Sequence, residues 1–121
     1  MDLIEFRDYC LSLGDIDEKT PFGKFSKRYD SVLVFYVSGH MFCIIDMDDF
    51  TYVDIPLSAE RIAYLRETYA SVSTPLNRGL RYWIQINFDG DIPDDVIYRL
   101  VSEACDSIKA KYTHKSKNRC K

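Results

Sequence analysis

Few side chains in this sequence are of the types that do reaction chemistry. There are two histidines, His40 and His114, and four cysteines, Cys10, Cys43, Cys105 and Cys120. Neither histidine has a His, Cys or carboxylate neighbour at the spacing of a zinc site, so both read as solvated surface groups. No two cysteines form a C-x-x-C pair. Cys43 lies among apolar neighbours, which raise a thiol's pKa rather than lower it, and reads as a core residue. No serine occupies a G-x-S-x-G turn. Asp46, Asp48 and Asp49 resemble the start of a calcium loop, as do Asp89 and Asp91. The first run lacks the loop's glycine and closing glutamate, and the second meets Pro93 where a third ligand belongs. Both read more simply as solvated turn acids. The five glycines are isolated, and none opens a phosphate loop. The expectation is therefore a protein without catalytic residues, metal or cofactor. An enzyme would need convergent titratable groups that the spacing alone does not show.

Two basic-aromatic stretches remain. One runs Lys24-Phe25-Ser26-Lys27-Arg28-Tyr29, the other Asn77-Arg78-Gly79-Leu80-Arg81-Tyr82-Trp83. Cations beside flat rings suit phosphate contact and base stacking, although plain surface loops have the same composition. Trp83 shares one face of an alternating segment with Arg81, Gln85 and Asn87. That face is either a ligand-facing sheet surface, or Trp83 packs under the first helix or the chain end while its neighbours are solvated.

The elements that carry these residues follow from periodicity. Asp2 can cap a helix with Glu5 as its reciprocal partner, and Leu3, Phe6, Cys10 and Leu13 then share a face up to a stop at Gly14. Residues 14–30 show no clean period. Val32 to Val37 and Met41 to Ile45 read as strands of a hairpin turning at Ser38-Gly39-His40. Asp46 to Asp49 turns again, and Phe50 to Ile55 is a third strand ended by Pro56. Ser58 caps a second helix bearing Ile62, Leu65 and Tyr69. Val72 lies in a short extended piece stopped by Pro75. Arg81 to Phe88 alternates as a strand, with Tyr82, Ile84, Ile86 and Phe88 on the other face. Pro93, Asp94 and Asp95 open a last helix whose buried stripe is Ile97, Leu100, Val101, Ala104, Cys105 and Ile108.

The result is an α+β fold. An antiparallel sheet, built from a three-strand meander plus one or two further strands, carries three main helices on one face and leaves the other partly free. Residues 1–112 form a single domain and 113–121 a basic, frayed tail.

Composition agrees. The chain has 121 residues, 46% of them hydrophobic, with 9 Tyr, 7 Phe and 1 Trp, enough for one packed core. The formal charge is -3, but the six bases from Lys109 onward meet no acids, so the rest of the chain sets 10 bases against 19 acids. An acidic body does not draw nucleic acid by bulk charge, so any such contact needs a local basic patch. No apolar run approaches the ~18 residues of a membrane span. Reduced thiols and a start on Met-Asp fit a cytoplasmic protein.

Several segments, taken in order, resemble the MmcQ/YjbR family of small proteins. They are Glu5-Phe6-Arg7-Asp8-Tyr9-Cys10-Leu11-Ser12-Leu13, Thr20-Pro21-Phe22, the hairpin from Val32 to Ile45 with Gly39 and Met41-Phe42, and Glu60-Arg61 with Leu65-Arg66-Glu67. Trp83, Asp89-Gly90 and Ile92-Pro93-Asp94 follow. The resemblance implies a YjbR-like double-wing α+β fold and a DNA-binding role. With no catalytic apparatus and an acidic body, the expectation is a non-enzymatic protein making weak, non-specific phosphate contact. Lys24, Lys27, Arg28, Arg78, Arg81 and Trp83 are the candidate contacts. Two departures remove positive charge: Asn77 to Tyr82 replaces a histidine- and lysine-rich run, and Pro56 stands where the family tends to have lysine. The alternative is a protein-interaction or adaptor domain, or self-association, through the sheet face around Trp83.

Overall fold

The computed structural model describes residues 1–75 and 81–120, with side-chain surroundings as far as Tyr112. Helix α1 (Leu3–Leu11) begins where the Asp2 carboxylate accepts the Glu5 N–H at 2.9 Å, satisfying one of the free donors of the first turn. Strand β1 (Ile16–Lys19) follows. It is a strand the sequence pattern does not announce, because it has four residues and only one is apolar. It is held on its edge by Val32–Val37 and, from above, by an Arg7–Glu18 ion pair to α1, with Arg7 Nε donating at 2.8 Å. A single 3-10 turn, Lys27–Tyr29, is capped by Ser26.

Strands β2 (Val32–Val37) and β3 (His40–Asp46) form the expected hairpin. Ser38 and Gly39 both have positive φ, at 54° and 78°, as a tight turn matched to strand twist requires. A bulge at Phe35/Tyr36 brings Phe42 into the core. Strand β4 (Tyr52–Pro56) completes the meander. Helix α2 (Ala59–Thr68) is capped by Ser58, which accepts from the Arg61 N–H at 3.3 Å. Strands β5 (Val72–Ser73) and β6 (Trp83–Asn87) and helix α3 (Asp94–Cys120) end the chain. The α3 backbone thus continues through the region where a frayed tail is expected.

Among the described residues the strands form one antiparallel six-stranded sheet in the order β1-β2-β3-β4-β6-β5. The step from β4 to β6 is set by the register Val53↔Ile86 and Ile55↔Ile84. These residues, with Leu33, Phe35, Cys43 and Ile45, form the apolar face. Helices α1 and α3 cover it with Phe6, Cys10, Ile97, Val101 and Cys105. Phe6 sits in an aromatic knot with Phe50, Phe88 and Tyr98, and the Tyr9 hydroxyl donates to the Tyr98 carbonyl at 3.1 Å. Arg61 joins α2 to α3 by a two-pronged bond to Glu103, at 2.8 and 3.0 Å.

Cys10 of α1, Cys43 of β3 and Cys105 of α3 are buried free thiols in this layer. Burial pushes the Cys43 thiol well up, and a hydrogen bond with Cys10 adds to the rise. Burial also raises Cys105. Cys43 and Cys105 are therefore poor nucleophiles in the folded chain.

The hairpin turn makes the simplest test. No atom lies within 4 Å of a Cβ placed at Gly39, so only its positive φ resists substitution. Gly39→Ala is expected to cost about 1–2 kcal/mol, and Ser38→Asn, which suits positive φ, to gain a few tenths. Urea denaturation of both variants measures this. An unchanged Gly39→Ala midpoint contradicts the turn geometry.

Candidate functional site

A sheet covered on one face must present the other. Side chains alternate along a strand, so the residues between the core positions all point away from α1 and α3. The pairing then assembles them into a row that crosses the sheet: Lys19, Val34, Ile44, Asp54, Gln85 and Ser73. Tyr52 and Pro56 flank Asp54 on β4, and Trp83 flanks Gln85 on β6 opposite Pro56. Tyr36 holds the equivalent place on β2. Val34 and Ile44 are buried and form a floor, while Tyr36, Tyr52 and Trp83 are half-buried and form its aromatic rim. None of these rings belongs to the core packed under the helices. Trp83 lies on the sheet face away from α1 and α3 and does not pack under the first helix.

At the centre lies an electrostatic misfit. Asp54 is only 9% exposed, the one charged residue in the buried set among the described residues. Its Oδ1 is buried and has no hydrogen-bond partner. Burial raises the carboxyl from its ordinary 3.8 to about 7. The neighbouring Tyr52 phenol is also raised, first by burial and then by the charge of Asp54. The ionisable groups that share this face are Tyr36, Tyr52, Asp46, Asp17 and Lys19, with Cys43 on the opposite side of the sheet. Lys19 is taken up by the Tyr36 ring, 5.4 Å from its centroid.

The basic candidates do not gather on this face. Lys24, Lys27 and Arg28 are exposed in the loop between β1 and β2, with Phe25 74% exposed among them. That loop lies at the end of the sheet where Val32 pairs with Asp46. Arg81 is exposed at the opposite end, just before the Trp83↔Pro56 pair. The two groups are separated by the length of the strands, roughly 13 Å at ~3.3 Å per residue, and by the width of the strands between them. Three of these four cations lie over their own sequence neighbours: Lys24 over Phe25, Arg28 over Tyr29, Arg81 over Tyr82. Arg78 lies outside the described residues. Of the five described residues singled out, only Trp83 lies in a strand of this face.

The acidic turns have structural work. Asp46 Oδ1 accepts from the Ser31 hydroxyl at 2.7 Å and the Asp48 N–H at 3.0 Å. Asp91 accepts from the N–H groups of Ala70 and Ser71 and from the Ser71 hydroxyl, which lower its pKa to about 2. That latch joins the end of α2 to the turn after β6, and Gly90 leaves room for it: a Cβ there would lie 2.2 Å from Ser71 Cβ. His40 stacks on Tyr112, ring centroids 3.7 Å apart. An open depression of about 370 Å³ beside the hairpin is lined by Asp15, Asp17, Ser38, Gly39 and Lys109. The Lys109 ammonium there donates to the Leu13 carbonyl, so it is engaged in joining α3 to α1.

Asp54, Tyr52 and Tyr36 are the site residues that sequence reasoning misses. The available signal was one acid inside the apolar strand Tyr52-Val53-Asp54-Ile55.

An antiparallel sheet with its helices on one side and an aromatic-ringed acid on the other defines a two-layer α+β domain. A family model, YjbR, matches residues 11–106, and the chain belongs to the YjbR family. Two solved structures share its fold. One is the Deinococcus radiodurans protein DR2400, described by a DUF419 domain. It is 22% identical with a TM-score of 0.76, and the match covers 90% of this chain and 79% of that one. The other is a Pseudomonas syringae protein, 19% identical with a TM-score of 0.65, over 86% of this chain and 96% of that one. No curated protein matches the chain. No helix among the described residues is long and apolar enough to cross a membrane.

Asp54 sets a sign for stability against pH. Its carboxyl ionises near 3.8 when unfolded and near 7 when folded. Between those values the unfolded chain sheds a proton that the fold retains, so stability falls as pH rises and the loss is complete above about 7. Asp54→Asn removes this term. The variant is expected to exceed the wild type by on the order of 2–4 kcal/mol at pH 8 and by little at pH 4. Urea denaturation at both values measures the difference, and an equal gain at both would show that ionisation is not the cause.

Proposed function

We propose that this chain is a non-catalytic binding domain whose ligand surface is the sheet face on which the described helices do not pack. The observation that carries the proposal is Asp54: a nearly buried carboxylate with a partnerless oxygen, on a sheet face that also carries Tyr36, Tyr52 and Trp83. A buried acid without a hydrogen bond destabilises a fold. Half-exposed aromatic rings around it are the surface type enriched in interfaces. The reading favours a protein partner, because the face carries Asp17, Asp46 and Asp54 against Lys19 and so repels phosphates. Immobilised protein is expected to retain a partner from an extract of its own cells. Trp83→Ala and Tyr52→Ala should lose that partner, and the helix-side variant Arg99→Ala should keep it. If both face variants retain all that the wild type does, the proposal is wrong.

DNA contact is the second reading, and one observation favours it. Lys24, Lys27 and Arg28 stand exposed with Phe25 and Tyr29 on a single loop, a local basic-aromatic tip on an acidic body. Three phosphate contacts give affinity falling with a log-log salt slope of about -2.7. A mobility-shift titration at low salt tests this. The sheet-face reading expects no shift at tens of micromolar protein. A shift abolished by Lys24→Ala, Lys27→Ala and Arg28→Ala together would establish the loop as a DNA contact.

A further inference from the structure

Given the sheet-face proposal, on which this inference rests, the surroundings of Asp54 narrow the chemistry of the partner. An apolar side chain laid over the face would seal a carboxylate with no hydrogen bond, the costliest arrangement for a buried charge. An anion would meet three acids. The face lacks a hydrogen-bond donor that also tolerates partial dehydration and lies flat against aromatic rings. Ammonium groups are compact and strongly hydrated. A guanidinium is planar, weakly hydrated, charged at every relevant pH, and presents paired N–H groups that match a carboxylate. The face already shows the attraction on a smaller scale, with Lys19 over the Tyr36 ring. Among the described residues, the Tyr52 and Trp83 rings beside Asp54 carry no cation, whereas six other cation-ring contacts are formed.

We infer that the open sheet face receives an arginine side chain of a partner protein, its guanidinium bonded to the Asp54 carboxylate and stacked on Trp83 or Tyr52. Asp54 is 9% exposed and its Oδ1 is buried, so the guanidinium must reach the carboxylate through that remaining opening. Burial around it strengthens the charge-assisted bond relative to one made in water. The flat ring faces strengthen it further. Commitment to a protein side chain, rather than a free small molecule, follows from the shape: the carboxylate lies in a broad sheet face, with its rim formed by single residues of separate strands.

The chain's one tryptophan makes the test direct, since all intrinsic tryptophan emission comes from Trp83. The full chain is titrated at pH 8.5 with N-acetyl-arginine amide, and with the citrulline and lysine amides as neutral and ammonium controls. The arginine compound is expected to change the emission saturably, with a midpoint in the millimolar range appropriate to one side chain. Both controls should be at least about tenfold weaker, and Asp54→Asn should weaken the arginine compound by about tenfold. Tyr52→Ala, which keeps the acid and removes a ring, should weaken it several-fold. Far-ultraviolet circular dichroism verifies that each variant is folded, and amide chemical shifts should move at 52–56 and 83–87. Equal binding of the citrulline amide, shifts confined to other elements, or a larger emission change with a single-stranded oligonucleotide would overturn the inference. If the arginine compound fails while the face variants still lose their partner, this inference falls and the sheet-face proposal stands. If the face variants lose nothing, both fall.

Discussion

The pairing of β4 with β6 is the constraint from which both surfaces of this domain follow. It ties the N-terminal meander to the C-terminal half of the chain through Tyr52↔Asn87, Asp54↔Gln85 and Pro56↔Trp83. Because side chains alternate, one register decides two things at once. It sends Val53, Ile55, Ile84 and Ile86 under the helices, and it sets Asp54, Gln85 and Trp83 on the opposite side. A slip of a single residue would exchange the two sets, drive Asp54 into the apolar layer and expose the isoleucines. The acid therefore penalises the wrong register far more than it burdens the right one.

That helps to explain how an unfavourable group persists in a small domain. The apolar layer is large, from Phe6 to Cys105, and can carry one local defect. Domains of this size have only a few kcal/mol of net stability, so such a defect is a sizeable fraction of the total. Its position is informative for the same reason. It sits on the side of the sheet where the described helices do not pack, ringed by aromatics, at the place where a partner could relieve it. The basic residues, by contrast, stand at the strand ends, solvated or lying over their own neighbours, where they cost nothing and indicate little.

Much of the fold was legible because it is written locally. The caps at Asp2 and Ser58, the hairpin around Ser38-Gly39, the alternation from Ile84 to Phe88 and the acid-led start of α3 each arise from residues close in sequence. The resemblance to the YjbR family could be read for the same reason. Strand β1 could not be read: Ile16-Asp17-Glu18-Lys19 has too little apolar content, and it is a strand because β2 offers an edge and Arg7 meets Glu18. The site was only partly legible. Trp83 stood out by its type. The separation of Lys24, Lys27 and Arg28 from Arg81 depends on which end of the sheet each loop occupies, a property of the long-range β4–β6 register rather than of any local pattern. Asp54 is one acid in a short strand, and only the pairing puts it in the middle of a row.

The thiol layer carries a consequence for the chain's synthesis. Cys10 and Cys43 belong to elements made early, whereas Cys105 arrives with the helix that roofs them. Until α3 docks, the first two thiols stand on an unroofed sheet and an unanchored helix, open to whatever oxidant the nascent chain encounters. Afterwards they are sealed. For these three thiols the exposed interval lies between synthesis and closure, and an oxidised cysteine acquired then would be carried into, or would block, the final packing of its own core.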